Sequence, residues 1–294
     1  MKKFSGAITA LVTPFTKNGS VDIPALKKLV KFQLDGGIHG IVPCGSTGEA
    51  ATMDYDGHEL VVRTVVQEVK KRVTVIAGAG SNDTAKAIKL SKICKRAGAD
   101  ALLHVTPFYN KPTPAGLVAH YKAIADAVDL PIILYNVPGR TGSNVMPQTV
   151  LDVAKKVPQV VGVKEASGSL PQMSEIIKGA SSDFSVLSGD DSIALPLISV
   201  GGVGCISVVS NETPKEFSKL ISSALDGDFE KAGKLHYKLW DLMNVNFIES
   251  NPIPVKTALF MMGYIKESFR LPLTPMQDKN KEVLKQILKK GAWL

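Results

Sequence analysis

Short, unbroken apolar runs recur along the chain at intervals of about 20 to 33 residues, at positions 7–12, 40–42, 73–77, 101–105, 132–135, 160–164, 185–188 and 205–209. Each run is continuous rather than alternating apolar and polar, the pattern of parallel strands covered on both faces. Helical periodicity fills the gaps. Leu26, Val30 and Leu34 share one helix face, with Asp22 placed to cap its start and Gly36 and Gly37 to stop it. Ala87, Leu90, Cys94 and Ala97 form a second stripe that ends at Gly98. Residues 36–42, 97–103 and 201–207 all run from a helix-ending glycine into a strand, as one repeating unit would. Eight strand-then-helix units joined by right-handed crossovers predict an α/β fold closed into a (β/α)8 TIM barrel over residues 1–224. After about Asp226 the strand pattern stops. Helical patterns at 229–242, 254–262 and 278–288, with a proline-rich break at 271–275, predict a C-terminal helical appendage over residues 225–294.

A chain of 294 residues, 45% of them hydrophobic, buries a full core. Lys and Arg number 35 against 27 Asp and Glu, a formal charge of +8. The longest basic cluster is only Lys70, Lys71 and Arg72, and no arginine-aromatic interleaving accompanies it, so the sequence predicts a solvated basic surface and no nucleic-acid partner. Cys44, Cys94 and Cys205 are odd in number and lie in no ligand spacing, as in a cytoplasmic protein. Lys2 and Lys3 before an apolar stretch superficially suggest a leader, but Thr9, Thr13 and Pro14 interrupt that stretch, which reads better as a first buried strand. The apolar stretch 193–209 is punctuated by Pro196, Ser199, Gly201 and Gly202, so no membrane segment is expected. His39, His58, His104, His120 and His236 are scattered without ligand spacing, and neither a metal nor a cofactor is predicted.

In a barrel of this kind the active site lies where strands end and the following loops begin. The sixth run is apolar until Lys164, and alternation puts Val160, Gly162 and Lys164 on one face. If that face points inward, Gly162 leaves space beneath an amine whose desolvation favours the neutral, nucleophilic form, able to make a Schiff base with a carbonyl. The competing reading is a surface lysine paired with Glu165. Tyr135 ends the neighbouring strand on the same face as Ile133, either as a proton shuttle or as a core phenol bonded to backbone. The turn that follows, residues 136–142, carries Arg140, suited to bidentate recognition of a carboxylate. Residues 44–49 place Ser46 and Thr47 between glycines, where hydroxyls and backbone N–H groups can converge on an anion. Cys44 reads as a packing residue. Phe108 and Tyr109, held between Pro107 and Pro112, suit an interface.

Residues 45–49, 135–142 and 162–165 resemble, in order and spacing, the motifs of the pyruvate-dependent Schiff-base aldolase and lyase family, and the resemblance extends to residues 251–256 in the appendage. It implies that Lys164 condenses with the ketone of pyruvate and that the resulting enamine attacks the aldehyde of L-aspartate-4-semialdehyde. It implies Tyr135 as proton shuttle, relayed through Ser46 to Tyr109 of a neighbouring subunit, hence an obligate dimer and usually a dimer of dimers. Ser46 and Thr47 are implied to hold the pyruvate carboxylate and Arg140 that of the semialdehyde, with backbone near Gly189 and Ile206 lining the pocket. Ser46 stands where the family most often has Thr; the hydroxyl is kept but its rotamer is freer. In many members L-lysine binds at the dimer interface, and the corresponding positions here are His58, Asn82, Lys86 and Phe108. Lys86 replaces an acidic residue, so weak or absent feedback inhibition is expected.

A sister aldolase cleaving sugar acids, such as N-acetylneuraminate lyase or a 2-keto-3-deoxy sugar acid aldolase, would carry a similar lysine, tyrosine and glycine loop, and Arg140 argues against it because a polyol prefers neutral partners. A phosphate-binding barrel is disfavoured by Asp190 and Asp191 after the seventh run. A non-catalytic keto-acid sensor has no need of Lys164, Tyr135, Ser46 and Arg140 together.

Overall fold

The computed structural model describes residues 4–294; Lys2 and Lys3 lie outside the described residues. Eight strands, β1 (Gly6–Ala10), β2 (Gly40–Val42), β3 (Thr74–Gly78), β4 (Ala101–Val105), β5 (Ile132–Asn136), β6 (Val160–Glu165), β7 (Ser185–Ser188) and β8 (Gly204–Ser207), pair in sequence order into a closed, parallel barrel. The predicted α/β class, strand number and order are all observed. The apolar stretch after Lys3 is β1, its five residues fully buried.

The helices form for the reasons legible in their sequences. In Ile23–Asp35 the Asp22 carboxylate accepts from the Ala25 N–H at 3.2 Å, and the chain leaves the helix at Gly36 and Gly37, the latter at φ 77°. Leu26, Leu29 and Val30 are buried against the barrel, each worth roughly 1.5–3 kcal/mol over an exposed position. Thr84–Arg96 is capped by Asp83 and followed by Gly98 at φ 93°.

Two strands depart from the predicted pattern. Simple alternation puts Val160 with Lys164, but a bulge between β5 and β6 pairs Ile132 with Val160 and Ile133 with Gly162, leaving Val161 over. Val160 therefore packs in the outer layer with Leu134 and Val163, while Val161 joins the barrel interior with Ile133 and Tyr135. The last strand stops at Ser207 instead of Val209, because the Asp191 carboxylate accepts the N–H groups of Val208 and Val209 at 3.1 and 2.8 Å and turns residues 209–211 into a 3-10 helix.

After the helix Pro214–Leu225, three helices, Phe229–Val245, Ile253–Met261 and Asp278–Lys290, complete the chain. One apolar cluster runs from Leu11 and Val65 through Leu239 to Leu284, so the appendage and the barrel share a core across residue 225. Among the described residues no helix is long and apolar enough to cross a membrane.

Candidate active site

Register brings the predicted nucleophile and its neighbour together. Tyr135 on β5 is the direct partner of Lys164 on β6, and parallel strands point paired residues to the same side. Lys164 is 5% exposed, its Nζ 4.3 Å from the centre of the Tyr135 ring. No ion pair to Lys164 exists among the described residues. Glu165, the partner in the competing reading, points to the other face of β6 and is fully buried there, accepting from Asn136 Nδ2 at 2.9 Å, Gln172 Nε2 at 3.1 Å and the Ser167 N–H at 2.7 Å.

The space around the lysine comes from Gly189 rather than from Gly162. A Cβ on Gly189 would stand 3.0 Å from Lys164 Cε and 2.6 Å from Ala166 Cβ. A Cβ on Gly162 would meet the backbone oxygen of Ser185 at 2.7 Å, so that glycine serves the close approach of β7 to β6 and leaves no room beneath Lys164.

Lys164 Nζ opens into a cleft of about 130 Å3 lined by Ser46, Thr47, Tyr135, Arg140, Gly189 and Asp190, with Val208, Phe247 and Asn251. Thr47 is buried and Ser46 exposed at the rim. Ser46 and Tyr135 face the same cleft without a hydrogen bond between them. Arg140 lies in a single helical turn, Pro138–Thr141, where a flexible-looking Gly and Arg pair is held by Pro138 at the helix start. Its Nη2 donates to the Asn251 carbonyl at 3.1 Å, and Asn251 Nδ2 donates to Thr47 Oγ1 at 2.9 Å. Asn251 thus bridges the two candidate carboxylate binders. No role was read for it in the sequence, although its motif was visible; only folding shows that the appendage returns to the barrel mouth. Ile206 lies fully buried in the barrel interior, and Val208, two residues on, forms the cleft wall.

Tyr109 is not brought to the cleft of its own chain. It is 89% exposed, at φ 70°, with Phe108 exposed beside it. His58, Asn82, Lys86 and Phe108 do converge, lining a cavity of about 860 Å3 that adjoins the cleft through Ser46, Tyr135 and Arg140. His58 Nε2 meets the Gly78 carbonyl at 2.8 Å, and burial holds its pKa below the usual histidine range. Behind the cleft, burial raises the Asp191 carboxyl to about 6. All three cysteines are free and buried; burial pushes the thiol pKa values of Cys44, Cys94 and Cys205 up, which suits packing rather than chemistry. Among the described residues no three His, Cys, Asp or Glu side chains are grouped to hold a metal.

A closed (β/α)8 barrel with a buried amine, a phenol, two hydroxyls and a guanidinium at the strand ends defines a lyase-type enzyme, and the chain belongs to the dihydrodipicolinate synthetase family, which matches residues 3–291. It is 54% identical over 286 residues to the 4-hydroxy-tetrahydrodipicolinate synthase of Maridesulfovibrio salexigens, covering 97% of this chain and 98% of that one. The fold superposes on dihydrodipicolinate synthase from Aquifex aeolicus with a TM-score of 0.96 at 46% identity, covering 99% of each chain. It superposes equally on the chloride inhibited enzyme from Acinetobacter baumannii complexed with pyruvate, with a TM-score of 0.97 at 45% identity and 99% of each chain covered. The activity is the lysine-biosynthesis condensation that yields 4-hydroxy-tetrahydrodipicolinate, and the sugar-acid aldolase reading is not favoured.

Proposed function

We propose that this condensation joins pyruvate to L-aspartate-4-semialdehyde through a Schiff base on Lys164. The amine attacks the pyruvate ketone and water leaves, giving an imine; loss of a methyl proton gives the enamine, whose carbon bonds to the aldehyde carbon of the second substrate. The amine of that substrate then attacks the imine carbon, closing the ring and releasing Lys164. Ser46 and Thr47 receive the pyruvate carboxylate and Arg140 that of the semialdehyde, as a guanidinium fork suits a planar anion. Tyr135 moves the protons, in a relay completed by Ser46 and by Tyr109 of a second subunit. The exposure of Tyr109 supports that last role, since a side chain turned away from its own core is available to another chain. The assembly is then a dimer whose sites are shared, further paired as a dimer of dimers, acting in the cytoplasm.

The observation that carries this reading is Lys164, 5% exposed, in the lining of a cleft that also holds Tyr135, Thr47 and Arg140. Borohydride reduction in the presence of pyruvate is expected to fix a stable adduct on Lys164 and to abolish turnover. Lys164→Ala is expected to take up no adduct and to make no product in an assay coupled to the product's reductase. An adduct on another lysine would overturn the assignment.

The cavity lined by His58, Asn82, Lys86 and Phe108 is proposed as the corresponding effector site, with Lys86 turning L-lysine away by like charge.

A further inference from the structure

Outside the cleft, the most deeply buried ion pair among the described residues is Lys256 with Glu49, whose side chains are 0% and 1% exposed. They are 207 residues apart. Glu49 closes the loop that carries Ser46 and Thr47, and it does so at φ 55°, ψ 35°, a left-handed conformation that a side-chain-bearing residue keeps only when its surroundings hold it. Lys256 lies in the first turn of Ile253–Met261, directly after the segment that carries Asn251.

We propose that the Glu49–Lys256 ion pair is a positioning device that seats the Ser46–Thr47 loop against the appendage, so that its effect is on binding of the keto acid's carboxylate. The inference rests on the reading of the cleft as a pyruvate site. Two rungs join the same two segments: Asn251 Nδ2 to Thr47 Oγ1 at 2.9 Å, and Lys256 Nζ to the Glu49 carboxylate. The second rung is braced on every side. Lys256 Nζ also donates to the Ser268 carbonyl at 2.7 Å and lies 4.5 and 4.9 Å from the ring centres of Phe15 and Phe269. The other Glu49 oxygen accepts the Arg270 N–H at 3.3 Å, and the Arg270 side chain in turn donates to the carbonyls of Gly19 and Thr52. Ser268 and Arg270, beyond Met261 in sequence, therefore lock the same loop from the far side.

Physical cost points to geometry rather than stability as the purpose. A buried ion pair is stabilised by mutual attraction but penalised by desolvation, and a matched apolar pair is commonly as stable or more so. An apolar pair has no direction, whereas a carboxylate clamped by one ammonium and one backbone N–H has a defined place. Burial lowers the Lys256 pKa and Glu49 opposes that shift, so the ammonium relies on its partner.

The test replaces both charges at once with Glu49→Gln and Lys256→Met, stranding neither. The readout is the pyruvate concentration that half-saturates borohydride trapping, with steady-state kcat and the melting temperature measured alongside. The expected result is a folded protein with a melting temperature within a few degrees of wild type, a rise of about tenfold in half-saturating pyruvate and a smaller change in kcat. Half-saturation within about twofold of wild type would overturn the proposal and leave the pair a packing feature. If the double variant does not accumulate folded, Glu49→Asp, which keeps both charges but withdraws the carboxylate by one methylene, takes the same measurement and the same thresholds. Absence of any trapped adduct in wild type would instead remove the pyruvate reading and this inference with it.

Discussion

Tyr135 and Lys164 are register partners on adjacent parallel strands, and the lysine Nζ rests 4.3 Å from the centre of the tyrosine ring. The ring covers one side of the amine, and Tyr135 lines the cleft beside it. Removing that hydroxyl while keeping the ring separates the two roles. Tyr135→Phe is expected to lower kcat by roughly 10²- to 10⁴-fold, as loss of a proton shuttle does, while pyruvate is still trapped on Lys164 by borohydride. Loss of trapping together with turnover would mean that the hydroxyl is needed to build the imine site itself.

Gly189 touches the lysine stem where no Cβ fits. Gly189→Ala places a methyl 3.0 Å from Lys164 Cε and 2.6 Å from Ala166 Cβ, and the lysine is the more mobile neighbour. A misplacement of about 1 Å at a reacting atom costs on the order of 10²-fold in rate, so a large fall in kcat is expected with the fold retained. Circular dichroism and steady-state kinetics check it, and a variant with near wild-type kcat would show that the cleft gives way.

Lys86 lies in the wall of the larger cavity with His58 and Asn82. Lys86→Glu exchanges like charge toward an incoming ammonium for opposite charge, and one removed repulsion plus one gained attraction is worth on the order of tenfold or more in affinity. Wild type is expected to resist millimolar L-lysine and the variant to be inhibited. An inhibition curve for each, at fixed pyruvate, decides the matter; strong inhibition of wild type would refute the charge argument.

Asp191 carries a pH-dependent share of stability. Its carboxyl is raised by burial from 3.8 to about 6, although the N–H groups of Val208 and Val209 oppose the shift. Because the folded protein binds this proton more tightly than the unfolded chain, the contribution is fully present below pH 4 and lost as pH rises through 6. The rise corresponds to ~3 kcal/mol between those limits. Asp191→Asn cannot titrate, so wild type is expected to lose stability relative to the variant between pH 4 and 7. Urea midpoints of both proteins across that range measure it, and parallel curves would show that Asp191 does not titrate there.

The strand count, the barrel and the placement of Lys164, Tyr135, Thr47 and Arg140 at strand ends and in the loops that follow are legible in the sequence. Buried parallel strands are short apolar runs, and a polar residue ending such a run stands out against it. The caps at Asp22 and the stops at Gly36 and Gly98 were legible because they act within one turn of chain. Three things were decided only in three dimensions. The β6 bulge, which moves Val160 to the outer layer, depends on how β5 and β6 fit together around a closed barrel. Asp191 ends β8 through backbone groups 17 and 18 residues away. Asn251 and Lys256 reach Thr47 and Glu49 across 204 and 207 residues, and no periodicity records a contact of that span. Local chemistry is written in neighbouring residues, whereas the place where the appendage meets the barrel mouth follows from the packing of the whole shared core.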